Sequence, residues 1–398
     1  MHIRRILGGA LAFAVTACSN PLDVQNEQDV LDINLDRPNA VAPLLNGVAG
    51  DYGVAYANAV DIVGLFGGEL IHTGSFPSWR EVEAGIGTRP STEGDNMYNS
   101  VSRAIWVADT ASTRIAAQVK VASASPEVAE AMIYGGFAHF LLADNFCSGT
   151  IKASPAITPD SLYRRAQSIF TQSLGIATAA NKSDLRYRAI AGRARARLML
   201  KDYAGARDDA KLIPGGWRWN AIYSSNSTRE NNSVATLTTT LIRREAGVNP
   251  RFYTDARYTL DPRTPFLNRG DTAKGPDPIR QFVEQLKYPQ RGTPIPVASW
   301  QEARLIEAEA DARLGDVALA VDLVNVVRAS AVLSAYAGPV TQTAVLSQIQ
   351  FERSAELWLQ AQSLSDLRRF SDPFLATRRD KCFEIGQTEW TSNPNLGR

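Results

Sequence analysis

Apolar residues recur at helical spacing along most of the chain. From Arg37 to Leu70, the positions Leu44, Leu45, Val48 and Tyr52, then Val60, Val63, Leu65 and Leu70, predict two consecutive helices. Between Asn96 and Val121, Tyr98, Val101, Ile105, Val107, Ile115 and Val119 predict another, and Trp106 falls within that run as a core residue. Pro126 stands where a helix towards Leu142 can begin. Asp160 precedes the apolar set Leu162, Tyr163, Ile169 and Leu174, and Asp184 is placed to cap the helix that follows. Trp300 and Trp358 also read as packing residues, while Trp390 is undecided. Two stretches break the pattern. Residues 72–95 are rich in Gly, Pro, Ser and Thr, and residues 247–296 hold eight prolines, so both read as long loops. Residues 371–398 read as a polar tail.

Within the helical part, "LRYRAIAGRARARLML" runs into a turn at Lys201-Asp202 and then a second helix that ends at Pro214. Ala189, Ala194 and Ala196, with Ala206 and Ala210 on the partner, let two helices approach closely. This resembles a tetratricopeptide-type hairpin, and "ARLIEAEADARLGDVALAVDLVNVVRASA" is a second copy with a Leu-Gly-Asp turn. The fold class expected is mostly α, with a helical solenoid core.

The N-terminus adds a different signal. Arg4 and Arg5 precede an apolar stretch from Ile6 to Val15, too short to span a bilayer, and Val15-Thr16-Ala17-Cys18 resembles the bacterial lipobox. The expectation is a lipoprotein signal over 1–17 and a covalent lipid on Cys18, with two or three acyl chains adding about 0.8 kcal/mol of membrane affinity per buried methylene. The alternative is ordinary cleavage with an incidental cysteine. Loss of Arg4 and Arg5 moves the formal charge from +1 to −1, so no electrostatic case exists for nucleic acid. Cys147 and Cys382 then remain. Export permits a disulfide between them, the alternative being two free buried thiols.

The second hairpin and the region after it resemble the RagB/SusD family of nutrient-uptake outer-membrane lipoproteins. The resemblance rests on Glu302, Arg304, Glu307, Ala308, Glu309 and Gly315, and on Glu352, Arg353, Glu356, Leu357, Asp366, Leu367 and Arg368 of a closing helix. The tail adds Ile385, Glu389, Asn393, Pro394 and Asn395, and "CSNPLDV" resembles the family's lipidated start. Where the family usually carries Glu-Gly-x-Arg, this chain has Gln360-Ala361-Gln362-Ser363. The resemblance implies a SusD-like α-helical domain over 18–398, with residues 72–95 and 215–296 as ligand-facing insertions. It further implies a binder, not an enzyme. Such a protein captures an oligosaccharide, or a peptide, at the outer membrane and delivers it to a SusC-like TonB-dependent barrel, without a cofactor or metal.

The residues themselves offer little catalytic chemistry. After Cys18 the only histidines are His72 and His139, far apart, and His139 lies in an apolar helix as a core residue. No His-Glu-x-x-His, Gly-x-Ser-x-Gly or phosphate-loop pattern is present. Acid pairs such as Glu81 and Glu83, Asp208 and Asp209, or Glu307, Glu309 and Asp311 read as solvated helix faces. "DTAKGPD" (271–277) lacks the spacing of a calcium loop. Sugar binding needs flat aromatic faces beside hydrogen-bonding groups. The candidates are Trp79, expected to be exposed, with Arg80, and Trp217, Trp219 and Tyr223 after the first hairpin. For the "GWRWN" stretch, packing of the indoles against the core is an equal alternative. A helical scaffold lipoprotein that binds another protein, and a carbohydrate-degrading enzyme, are the other two readings.

Overall fold

The computed structural model describes residues 32–397 apart from 241–242. Cys18 lies outside the described residues. The first half is built from long helices. α1 (Val41–Phe66) is followed by strand β1 (Leu70–His72), the short α2 (Pro77–Glu83), and then α3 (Thr92–Gln118), α4 (Pro126–Asn145), α5 (Pro159–Ala179), α6 (Ser183–Met199) and α7 (Tyr203–Ala210). The stretch 37–70 therefore carries one long helix, not two. Val60 to Phe66 of α1 are all buried, which makes it a central element with α3 and α4 packed on it.

Caps explain where these helices start. Ser91 Oγ accepts from the Gly94 N–H at α3, Ser125 Oγ from Val128 at α4, and Thr158 Oγ1 from Ser161 at α5. Asp184 does not cap α6; it sits in the first turn, where its carboxylate meets the positive helix end and pairs with Arg188 at 2.6 Å. Asp202 caps α7 through the Gly205 N–H at 3.0 Å, which places the turn of the first hairpin at Lys201-Asp202.

The middle region is irregular but not structureless. It holds β2 (Arg218–Ala221), α8 (Ser233–Thr238), β3 (Ala246–Val248), α9 (Pro250–Thr254), α10 (Ala256–Thr259), β4 (Phe266–Asn268), β5 (Val283–Gln285) and β6 (Ile295–Ser299). Among the described residues the strands form three antiparallel pairs, β1 with β3, β2 with β6, and β4 with β5. Residues 72–95 and 247–296, expected as long loops, thus contain short helices and strands.

The second hairpin consists of α11 (Trp300–Leu314) and α12 (Val317–Ser330), with Gly315 at φ 102° making the turn. Its alanines 308, 310, 312 and 320 are fully buried, as are those of the first hairpin at 189, 194, 196, 206 and 210. α7 packs against α11, so the two hairpins are neighbours. The closing segment is two helices, α13 (Gln342–Glu356) and α14 (Ser363–Arg369), broken where Leu359 and Ala361 take φ of 55° and 56°. Arg353 bridges the break, pairing with Asp366 at 2.8 Å. Beyond α15 (Pro373–Ala376) and α16 (Gln387–Ser392), the tail folds back on the body. Cys147 and Cys382 are joined by a disulfide, and Phe383 pairs with Phe146 beside it. No helix among the described residues is long and apolar enough to cross a membrane.

One buried acid in α1 has a measurable consequence. Asp61 is 1% exposed; the Ser233 hydroxyl donates to its Oδ2 at 2.6 Å, and Oδ1 has no partner. Burial pushes its carboxyl up to about 7, against the opposing effect of the Ser233 bond. Between the ordinary value of 3.8 and about 7 the native state holds a proton that the unfolded chain releases. Stability therefore falls as pH rises through that window. Asp61→Asn is expected to flatten this slope and to stabilise the protein at pH 8 by about 1–3 kcal/mol. Urea midpoints at pH 5 and pH 8 check it; an unchanged pH slope in the variant would refute the assignment.

Candidate functional site

Trp106 is the feature that the fold leaves facing water. It is 57% exposed, whereas the other six tryptophans are buried or partly buried. The reason is rotational. On α3 the buried positions Val101, Ala104, Ile105, Ala108, Ala111 and Ile115 form one stripe. At about 100° per residue, Trp106 lies roughly 170° from the centre of that stripe. Trp106 is thus not the core residue its apolar neighbours suggest: it shares their character but not their angular position on the helix.

The indole borders a small cavity of about 60 Å³ shared with Ser102, Asp109, Thr150, Lys152 and Glu389. Three elements converge there. α3 supplies Ser102, Trp106 and Asp109 within two turns. The loop between α4 and α5 closes on itself through the Gly149–Ile157 bridge and turns at Lys152 and Ala153, with φ of 52° and 54°. Two adjacent non-glycine residues in the left-handed region are a costly arrangement, one that tends to persist at binding sites. The turn brings Lys152 Nζ to 3.8 Å from Asp109. The tail supplies Glu389 from α16.

A hydrogen-bonded network fixes this third element. Thr150 Oγ1 donates to Glu389 Oε1 at 2.6 Å, and the Thr150 N–H donates to the Tyr98 hydroxyl at 2.9 Å. Burial pushes the Tyr98 phenol up, so it keeps its proton. Asn393 Nδ2 donates to Glu389 Oε1 at 2.8 Å and to Ser154 O at 2.9 Å, and Asn395 Nδ2 donates to Ala153 O at 2.8 Å. Both bonds to Glu389 go to Oε1, which leaves Oε2 as an acceptor. A flat apolar indole face thus stands beside two carboxylates, an ammonium and hydroxyl groups. That combination suits a sugar ring, whose C–H face stacks while its hydroxyls bond at the edge.

The residues expected to bind ligand lie elsewhere. Trp79 is 4% exposed, a correction of the expected exposure. Pro77 opens α2 rather than extending a loop, and Trp79 and Val82, three apart, share its buried face against Phe76 and the core. Arg80 is exposed and ion-paired with Asp277 at 2.9 Å. Trp219 and Tyr223 are buried, so neither offers a face to ligand. Trp219 packs among Tyr52, Tyr134 and Phe137, and the Tyr223 hydroxyl donates to Gly53 O at 2.9 Å. Trp217 is partly buried, donating to Asp184 at 2.9 Å and packing edge-on to Tyr187. For "GWRWN" the packing alternative describes the structure. Trp300 and Trp390 are partly buried against the core, with Arg89 stacked 3.5 Å over the Trp390 ring.

The sequence model of the SusD family matches residues 301–394. Among curated proteins, none matches this sequence. Solved structures match over nearly the whole chain. A SusD superfamily protein from Bacteroides vulgatus superposes with a TM-score of 0.70 at 14% identity, covering 90% of this chain and 98% of its own. A laminarin-binding SusD-like protein gives 0.65 at 15%, covering 89% and 98%. A SusD-like carbohydrate binding protein from Bacteroides vulgatus gives 0.62 at 16%, covering 84% and 83%. At such identities the likeness is one of fold.

Proposed function

The SusD family model matches residues 301–394 of this chain, whose fold is that of SusD superfamily proteins, and from that premise we infer that it binds carbohydrate at the Trp106 face. The exposed indole with its polar surround carries the reading. Two proteins that share the fold are a laminarin-binding and a carbohydrate binding SusD-like protein, which supports a glycan as the ligand class. Lys152 and Glu389 offer a donor and an acceptor at the edge of the ring, and the protein holds the sugar without making or breaking a bond. We place the protein at the outer membrane, anchored through lipid on Cys18, where it passes its ligand to a SusC-like TonB-dependent barrel. Burial of every tryptophan would favour a protein-binding scaffold instead; Trp106 is exposed, although it lies on α3 and not in the two irregular stretches.

The test is direct. Purified protein is screened against a glycan array, and hits are measured by calorimetry or affinity electrophoresis, with laminarin included. At least one oligosaccharide is expected to bind. Trp106→Ala is expected to weaken it about 30-fold, which corresponds to about 2 kcal/mol for roughly 80 Å² of indole face covered by sugar. A screen without any glycan hit, or full affinity in Trp106→Ala, would overturn the reading.

A further inference from the structure

A second cavity, of about 280 Å³, lies where α9 and α10 meet α13 and α14, and it shares no residue with the Trp106 face. Arg257, Ser347 and Pro373 are exposed at its rim, while Glu69, Arg353, Leu357 and Leu367 are buried at its floor. Tyr258 and Phe351 form a buried aromatic wall. Three of its charged side chains carry polar atoms that the protein leaves without a partner. Glu69, 2% exposed, accepts from the Leu359 N–H through Oε1 at 3.0 Å; the Ser363 hydroxyl lies beside the carboxylate, but Oε2 has no partner at hydrogen-bonding geometry. Arg353, 2% exposed, gives Nε and Nη2 to Asp366 at 2.8 and 3.0 Å, whereas its Nη1 has none. Arg251 Nε is buried and likewise unpaired, its guanidinium stacked on Phe252 and Phe374.

The other charges in the cavity are engaged. Asp372 takes the Gln350 amide and the Phe374 N–H, Asp366 takes Arg353 and Arg369, and Arg257 holds Asp255. What stays without a hydrogen bond is of both signs, guanidinium N–H groups of Arg353 and Arg251 and a carboxylate oxygen of Glu69. Leaving hydrogen bonds of buried charged groups unmade is costly, and such groups are satisfied when a ligand of matching charge arrives. A cavity this size is at the small end of ligand sites, so it takes a single small metabolite rather than a glycan chain. We propose that it binds a small zwitterion of the α-amino-acid class, with the carboxylate on the free N–H groups of Arg353 and Arg251 and the ammonium on Glu69 Oε2. The aromatic wall then receives the side chain.

Burial also pushes the Glu69 carboxyl up, opposed by the Leu359 N–H, Arg251, Lys287 and the Ser363 hydroxyl. An ammonium beside it favours the ionised form, so binding releases protons and tightens as pH rises. Calorimetric titration of the purified protein with each of the twenty amino acids at pH 7.5 tests the proposal, with glucose and an N-acetylated amino-acid amide as uncharged controls. At least one zwitterion is expected to bind with Kd below about 1 mM, and the controls at least tenfold more weakly. Glu69→Gln keeps the Leu359 bond, and Arg251→Gln breaks no ion pair; each is expected to weaken binding tenfold or more, while Trp106→Ala leaves it unchanged. The proposal is overturned if no amino acid binds at about 10 mM, if the uncharged controls bind equally, or if both charge variants bind like the wild type.

Discussion

Replacing Arg195 by methionine is expected to destabilise the protein by about 3–5 kcal/mol. Arg195 is 7% exposed and lies on α6. Its Nε and Nη2 reach the two oxygens of Glu302 on α11, each at 2.7 Å, and Nη2 also donates to Val297 O in β6 at 2.7 Å. Phe137 and Phe140 of α4 lie 5.2 and 5.4 Å from the guanidinium. One side chain therefore joins the amino-terminal helices to the second hairpin. Methionine fills most of the same volume, so the loss is not mainly one of packing. The damage comes from Glu302, 3% exposed, left as a buried charge without its cation. A compensated variant separates the causes. Arg195→Met with Glu302→Leu removes both charges, and it is expected to recover most of the loss, since a buried pair gains little over well-packed apolar residues. Urea unfolding of the wild type, single and double variants measures this. If the double variant is no more stable than Arg195→Met, desolvated charge is not the cause.

The same residue shows what a single sequence can and cannot reveal. Apolar periodicity and alanine spacing carried the two hairpins, because close helix packing requires small residues at fixed steps. Nothing local marks Arg195 as buried. It sits in a run with Arg193 and Arg197, which pair instead with Asp209 sixteen and twelve residues away. Its own partner is 107 residues distant, and only the tertiary arrangement chooses it. The tryptophans fail for a related reason. Trp79 has polar neighbours because α2 is a short helix with one wet face, so neighbouring residues report the opposite side. Trp106 follows Ile105 in an apolar run but points away from the stripe. An angular projection of α3 would have found it, and with it Asp109 one turn further on. Lys152 and Glu389 could not have been joined to that pair, since they arrive through a backbone turn and a folded-back tail.

That tail is held by a covalent link, and removing it should affect both stability and the site. Cys147 and Cys382 close a loop with a sequence separation of 235, worth about 5 kcal/mol in the chain-entropy account. Some attachment survives without it. The Cys147 N–H donates to Phe383 O at 2.8 Å, the Phe383 N–H to Asn145 O at 2.9 Å, and the Phe383 ring packs between Phe66 and Phe146. These contacts keep the tail in place in the native state. The disulfide acts chiefly on the unfolded chain, whose ends it ties together, so its removal lowers stability more than it distorts the fold. The double variant Cys147→Ser, Cys382→Ser is expected to lose about 3–5 kcal/mol, which for a chain of this size is a fall in Tm of about 4–6 °C. Reductant added to the wild type should reproduce most of that fall, because Cys147 is exposed to it. Beyond Cys382 the tail brings Glu389 into the Trp106 cavity, with Asn393 and Asn395 bonding it to the loop that carries Lys152. Carbohydrate affinity is therefore expected to drop by about threefold, far less than for Trp106→Ala, since the Thr150 hydroxyl still donates to Glu389 and the Asn393 and Asn395 amides still donate to Ser154 O and Ala153 O. A Tm within about 1 °C of the wild type in the double variant would show that the link constrains little.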